Sequence, residues 1–172
     1  ISYGAMNLGT MPGTRREMAG VPYQRGVIRV EESVIINRPP REVYREWRNL
    51  ENLPRIMRHL QSVRPLGDNR SHWVVRGPAG TTVEWDGEIV NDIENQLIGW
   101  QSLPGADVNN AGAVHFEPMR GGNATRLRVT LRYDPPGGEI GRAFASLFGT
   151  NPARQVREDL QNFKSEMERR TM

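Results

Sequence analysis

Residues 127–138 read Leu127-Arg128-Val129-Thr130-Leu131-Arg132-Tyr133-Asp134-Pro135-Pro136-Gly137-Gly138, an alternating stretch that runs into a breaker. Apolar side chains on every second residue up to Tyr133 have the period of a half-buried strand. Beyond the breaker, Val156, Leu160, Phe163 and Met167 recur at i, i+4, i+7 and i+11, one apolar stripe along a final helix. Val83–Val90, further upstream, is a second strand-like run. A curved antiparallel sheet followed by one long helix can wrap that helix and leave a cavity between the two. The expected fold class is therefore α+β.

Working outward, the same periods predict seven strands. Gly26–Ile36 puts Ile28, Val30, Val34 and Ile36 on one face, and Arg29, Glu31 and Ser33 on the other. Asn37-Arg38-Pro39-Pro40 ends that strand, because neither proline can donate to a ladder. Pro40 suits the first turn of a short helix carrying Val43 and Trp47. A second short helix holds Leu50 and Leu53. Leu60–Leu66 and Arg70–Arg76 form a hairpin around Gly67-Asp68-Asn69, and Gly77-Pro78-Ala79-Gly80 turns the chain into Thr82–Val90. Gln96–Ser102, Asp107–Pro118 and Ala124–Tyr133 complete the set, and short connections make neighbours antiparallel. The final helix is expected to be interrupted at Gly149-Thr150-Asn151-Pro152, where Asn151 can cap and Pro152 can start a new turn.

Composition bounds the reading. The chain has 172 residues, 37% apolar and 25% charged, with no cysteine, so disulfides and thiolate chemistry are excluded. No apolar run approaches the roughly 18 residues of a membrane-spanning helix. The net charge is +3, and basic residues are 22 Arg to a single lysine, Lys164, a ratio that codon usage explains. Residues 1–25, rich in glycine and proline without an apolar period, read as a flexible tail or linker, leaving 26–168 as the folded domain. Because the chain opens at Ile1, further sequence upstream is expected.

Strand parity identifies the inward face. Pairing across Gly77–Gly80 sets Trp73 opposite Trp85 inside and His72 opposite Asp86 outside. Trp85, Gly87 and Ile89 share the inner face, and the next fold-back brings Ile98, Trp100 and Ser102 onto it, with Trp100 near Gly87. A glycine facing an indole leaves room for the ring. The candidate lining of a ligand cavity is Trp47, Trp73, Trp85, Trp100, Val114, Phe116 and Tyr133, closed by Phe144, Phe148, Leu160 and Phe163. Core packing alone explains most of these residues, since burying each stabilises the fold by roughly 1.5–3 kcal/mol.

Several of these stretches resemble a known family. Asn37-Arg38-Pro39-Pro40 with Arg41-Glu42-Val43-Tyr44 and Trp47 is similar to the opening of the polyketide cyclase/dehydrase and coenzyme Q-binding families of the START-like superfamily. Val83-Glu84-Trp85-Asp86-Gly87-Glu88-Ile89, Trp100-Gln101-Ser102-Leu103-Pro104-Gly105 and Asn110-Ala111-Gly112-Ala113-Val114 resemble a cyclase/dehydrase subgroup. Asp134-Pro135-Pro136-Gly137-Gly138 and Gln155–Lys164 do as well. The resemblance covers about residues 26–168. It implies a helix-grip fold: a curved seven-stranded antiparallel sheet around a long C-terminal helix, with two short helices after the first strand. It also implies a hydrophobic pocket for a lipid, quinone, sterol or polyketide. Relatives often carry an N-terminal hydrophobic segment, which would tether an otherwise cytoplasmic domain near a membrane.

No catalytic residue travels with these motifs. Parity turns only Ser102, Asn110 and Tyr133 inward among polar groups, and Glu84, Asp86 and Glu88 outward. His59, His72 and His115 are scattered without metal-ligand spacing, so neither a metal nor a cofactor is expected. Arg126, Arg128 and Arg132 share an outer face with Arg29. Glu31 and Glu32 interrupt that stripe and no aromatic interleaves it, so nucleic acid is not the expected partner. The expectation is non-catalytic binding of a hydrophobic small molecule, for transport or presentation. Polyketide cyclase/dehydratase activity is the alternative, and a ribosome, RNA or protein interaction module the third reading.

Overall fold

Alternation, turns and prolines become a single sheet. The computed structural model describes residues 27–135, 137, 138, 141 and 152–170. Its strands are β1 (Ile28–Ile36), β2 (Leu60–Gly67), β3 (Arg70–Arg76), β4 (Thr82–Ile93), β5 (Leu97–Ser102), β6 (Asn110–Met119) and β7 (Ala124–Tyr133). Between β1 and β2 lie helix α1 (Pro40–Arg48) and a 3-10 helix, Leu50–Arg55, so the second predicted short helix is of the tighter kind. Helix α2 (Pro152–Arg169) closes the described chain. The strand order is β1-β7-β6-β5-β4-β3-β2, antiparallel throughout. Every pairing but β1 with β7 is a hairpin.

Local chemistry sets these joints. Asp68 and Asn69 both take positive φ (54° and 63°) between β2 and β3, the conformation that a primed hairpin turn requires. Pro39 is extended and Pro40 opens α1, whose Val43 and Trp47 turn inward. Two boundaries differ from the alternation by three residues. β6 starts at Asn110, not Asp107, because the loop before it bonds back to β4: the Glu84 amide donates to the Asp107 carboxylate at 2.9 Å. β4 continues to Ile93 through a register shift between Ile89 and Asn91.

The observed registers also change which glycine faces which indole. Trp73 pairs with Trp85 and His72 with Asp86, as parity requires. Trp100, however, pairs with Ile89 on one side and Gly112 on the other, while Gly87 pairs with Ser102 and faces Trp73. The β4–β5 turn centres on Asn95, one residue later than strict alternation placed it, and the bulge at Val90 then shifts the register by one so that Trp100 pairs with inward-facing Ile89.

Helix α2 lies in the concave side with Val156, Leu160, Phe163 and Met167 buried. The Phe163 ring sits 5.1 Å from that of Trp47. Polar ties lock the helix to β1: Lys164 donates to the Ile35 carbonyl at 2.7 Å, and Arg157 holds the Glu32 carboxylate with two hydrogen bonds. On the outer face Arg128 reaches Glu117 at 2.9 Å and Glu31 at 3.5 Å, and Arg126 lies 4.0 Å from Glu117, so this part of the basic stripe is cross-strand paired. No helix among the described residues is long and apolar enough to cross a membrane.

Candidate functional site

Sheet and helix do not close completely. A cavity of about 180 Å³ remains between them. Of the residues read as lining, Trp47, Trp73, Trp85, Trp100, Tyr133 and Leu160 border it. Val114, Phe116 and Phe163 do not: each is at most 2% exposed and packs in the surrounding core, Phe116 edge-on to Tyr44 and Phe163 against Trp47. Inward parity placed them on the right face, and their neighbours cover them. Phe144 and Phe148, with the Gly149–Asn151 interruption and the 1–25 tail, lie outside the described residues.

The aromatic wall is ordered by its polar edges. Trp73 and Trp85 stack with centroids 6.0 Å apart and planes within 5°. The Trp73 indole N–H donates to Ser71 Oγ at 3.0 Å, and the Trp100 indole N–H donates to Asn110 Oδ1 at 3.0 Å. Asn110 is itself fixed by two donated bonds, from its side-chain amide to the Val108 carbonyl and from its backbone N–H to Ser102 Oγ. Two indoles thus have a polar edge tied to the protein. Gly112 makes Trp100 possible, because a methyl group there would lie 2.6 Å from the ring. Burial pushes the Tyr133 hydroxyl up to about 12.

Alternation missed three polar residues at one end of the cavity. His59 and Asp159 both border it, their side chains 15% and 11% exposed, with His59 Nε2 3.6 Å from Asp159 Oδ2. Gln155 Nε2 donates to Asp159 Oδ1 at 3.1 Å and lies 3.4 Å from His59 Nδ1. Burial drives the two titrations in opposite directions, lowering His59 to about 4 and raising Asp159 to about 7, because water is withdrawn from whichever form is charged. Between those values both side chains are neutral, so their contact is a polar pair and not a salt bridge. A signal for Asp159 was present in the sequence: it stands three residues after Val156 and four before Phe163, inside the apolar stripe. Glu88, read as outward, reaches the cavity rim near the bulge, where Arg70 lies 3.6 Å away. His72 stays outside, bonded to Asp86 at 2.7 Å and Glu84 at 3.0 Å. The described residues bring no three His, Asp or Glu side chains together as metal ligands.

Residues 36–161 match the family described as polyketide cyclase/dehydrase and lipid transport. The chain belongs to that family. A Deinococcus radiodurans protein of known crystal structure is 38% identical, superposes with a TM-score of 0.65, and is matched over 82% of this chain and 98% of its own. The Zhui aromatase/cyclase of Streptomyces sp. R1128 shares the fold at 18% identity (TM-score 0.66; 85% and 96% of the two chains). So does a START superfamily protein of Mycobacterium smegmatis at 14% (TM-score 0.65; 83% and 99%). The last two likenesses establish the START-like helix-grip architecture and carry no residue roles to this family member.

Proposed function

We propose that this family member binds a planar, largely apolar small molecule in the cavity under α2, and transports or presents it without chemical change. The observation that carries the reading is the aromatic wall, where pinned N–H groups on Trp73 and Trp100 leave ring faces for contact. Apolar walls with a few fixed polar groups are the usual make-up of a small-molecule site. The volume limits the guest. An engineered apolar cavity of about 150 Å³ admits benzene, so about 180 Å³ accepts one or two fused rings, or that portion of a quinone, polyketide or lipid.

Native mass spectrometry on protein purified gently from its own host, followed by extraction of the bound compound, tests this. A stoichiometric quinone, polyketide or other ring-bearing lipid is the expected result. Protein that is empty, and stays empty after challenge with a panel of such compounds, would show a closed core instead.

One observation favours a second reading, chemistry of the cyclase or dehydratase kind. His59 and Asp159 converge on the cavity, and such a pair can move a proton to or from a bound carbonyl. Against it, Ser71 and Asn110 are occupied in holding indoles, and a whole poly-β-ketone chain exceeds the volume. Product formation from a poly-β-ketone analogue, abolished in Asp159→Asn, would replace the binding reading with this one.

A further inference from the structure

His59 and Asp159 border two spaces at once: the apolar cavity and a polar groove outside it, lined also by Arg58, Arg154, Gln155 and Glu158. They therefore form the threshold between the two. Around the threshold the charges are mostly engaged, Arg154 with Glu158 at 3.2 Å and Arg157 with Glu32 at 3.1 Å.

We propose that His59, Gln155 and Asp159 form a headgroup subsite that accepts the hydroxyl of a phenol-type ligand whose rings occupy the cavity. The inference rests on the binding function argued above and adds the ligand class. Its geometric basis is the hydrogen-bond inventory of Asp159. A carboxylate offers about four acceptor positions. Asp159 is only 8% exposed, and its contacts within this cluster are one hydrogen bond from Gln155 and the longer 3.6 Å approach of His59. Gln155 orients both partners, since its amide nitrogen lies between Asp159 Oδ1 and His59 Nδ1. A hydroxyl arriving from the cavity side supplies a further donor where water is scarce. A hydrocarbon of the same shape supplies none, and further desolvates the carboxylate. An unmet buried charge is costly, whereas a hydrogen bond to it contributes about 1.5–3 kcal/mol. Elevation of the Asp159 pKa to about 7 agrees with such under-solvation, and above that pH the carboxylate is ionised and ready to accept.

The test compares 2-naphthol with naphthalene at pH 8, by tryptophan fluorescence and calorimetry, on the full chain. The wild type should prefer 2-naphthol by about tenfold or more, the factor equivalent to that hydrogen bond. Asp159→Asn, which keeps a neutral acceptor and the Gln155 contact, should reduce the preference to about threefold. Asp159→Leu should abolish it while binding naphthalene at least as well. If Asp159→Leu does not fold, the Asn variant alone decides: a preference unchanged from wild type overturns the subsite. Naphthalene and 2-naphthol binding equally to the wild type would also overturn the subsite and leave the cavity function standing. Failure of both probes to bind would overturn the cavity function and the subsite with it.

Discussion

Asp159 changes its protonation on folding, and its exchange with His59 has a measurable signature. Its folded pKa is raised from 3.8 to about 7, so its contribution to stability is fully present below about 3.8 and is lost as pH rises through about 7. His59 runs the other way: lowered from 6.5 to about 4, its contribution is present above 6.5 and is lost as pH falls through about 4. Between about pH 4 and 6.5 the two slopes oppose each other. The unfolded chain carries one proton on His59, the folded chain one on Asp159, and the count does not change. The pair should therefore add little pH dependence to wild-type stability in that window. Asp159→Asn removes one arm. Its stability relative to wild type should grow by up to about 1.4 kcal/mol per pH unit from about pH 4 to 7, then level off. Urea titrations at pH 5 and pH 8 check this, and an equal difference at both would show that Asp159 is ionised in the fold throughout. Trp85 belongs to the same scale. Trp85→Ala removes a stacked partner of Trp73, worth about 0.5–1.5 kcal/mol beyond the buried area. It should weaken ligand binding together with stability, and unchanged affinity would make the indole mere packing.

At the level of elements, the β4–β5–β6 segment shows what period alone can and cannot deliver. The seven strands, their antiparallel order and the Trp73–Trp85 pairing were legible because each depends on a two-residue repeat and a short turn. The bulge at Val90 was not, since an extra residue leaves no mark on composition. It sets Trp100 opposite Ile89, while the glycine against its ring, Gly112, comes from β6. The two glycines now make opposite predictions. An alanine methyl at Gly112 would lie 2.4 Å from the Thr130 carbonyl oxygen and 2.6 Å from the Trp100 ring. Backbone cannot give way, so Gly112→Ala should cost about 1–3 kcal/mol or more. At Gly87 the nearest atom is 3.6 Å away, ordinary contact, and Gly87→Ala should be within about 1 kcal/mol of wild type. Thermal melts of the two variants separate these registers, and the reverse order would restore Gly87 as the neighbour of Trp100. The site was half legible for a related reason. Aromatic residues announce an inner face, but a lone Asp in an apolar helical stripe reads as the polar margin until the packing of His59 and Gln155 around it is seen.

Over the whole molecule, the sheet is firm at one side and loose at the other, and the cavity lies toward the loose side. β1 pairs with β7 through all nine residues without a shift, β6 with β7 through ten, and α2 is tied to β1 by Lys164 and Arg157. β2 is the opposite edge. It carries Pro65, which lacks an N–H, an exposed Leu66, and two register shifts against β3. The cavity wall includes Leu53 from the 3-10 helix, Met57 from the turn after it and Leu60 from the start of β2, with Trp73 and Val75 from β3. A guest larger than two rings must spread some element, and the weakest ladder yields at least cost. Amide hydrogen exchange should accordingly be slowest in β1, β6 and β7 and faster in β2 and the segment leading into it. Saturating 2-naphthol should slow exchange in β2 and β3 several-fold while leaving β1 unchanged, because ligand binding opposes only those openings that empty the cavity. Should the protected amides fall in α2 instead, the guest enters by displacing the helix from the sheet. The ties at Lys164 and Arg157 would then be the contacts that set its residence time.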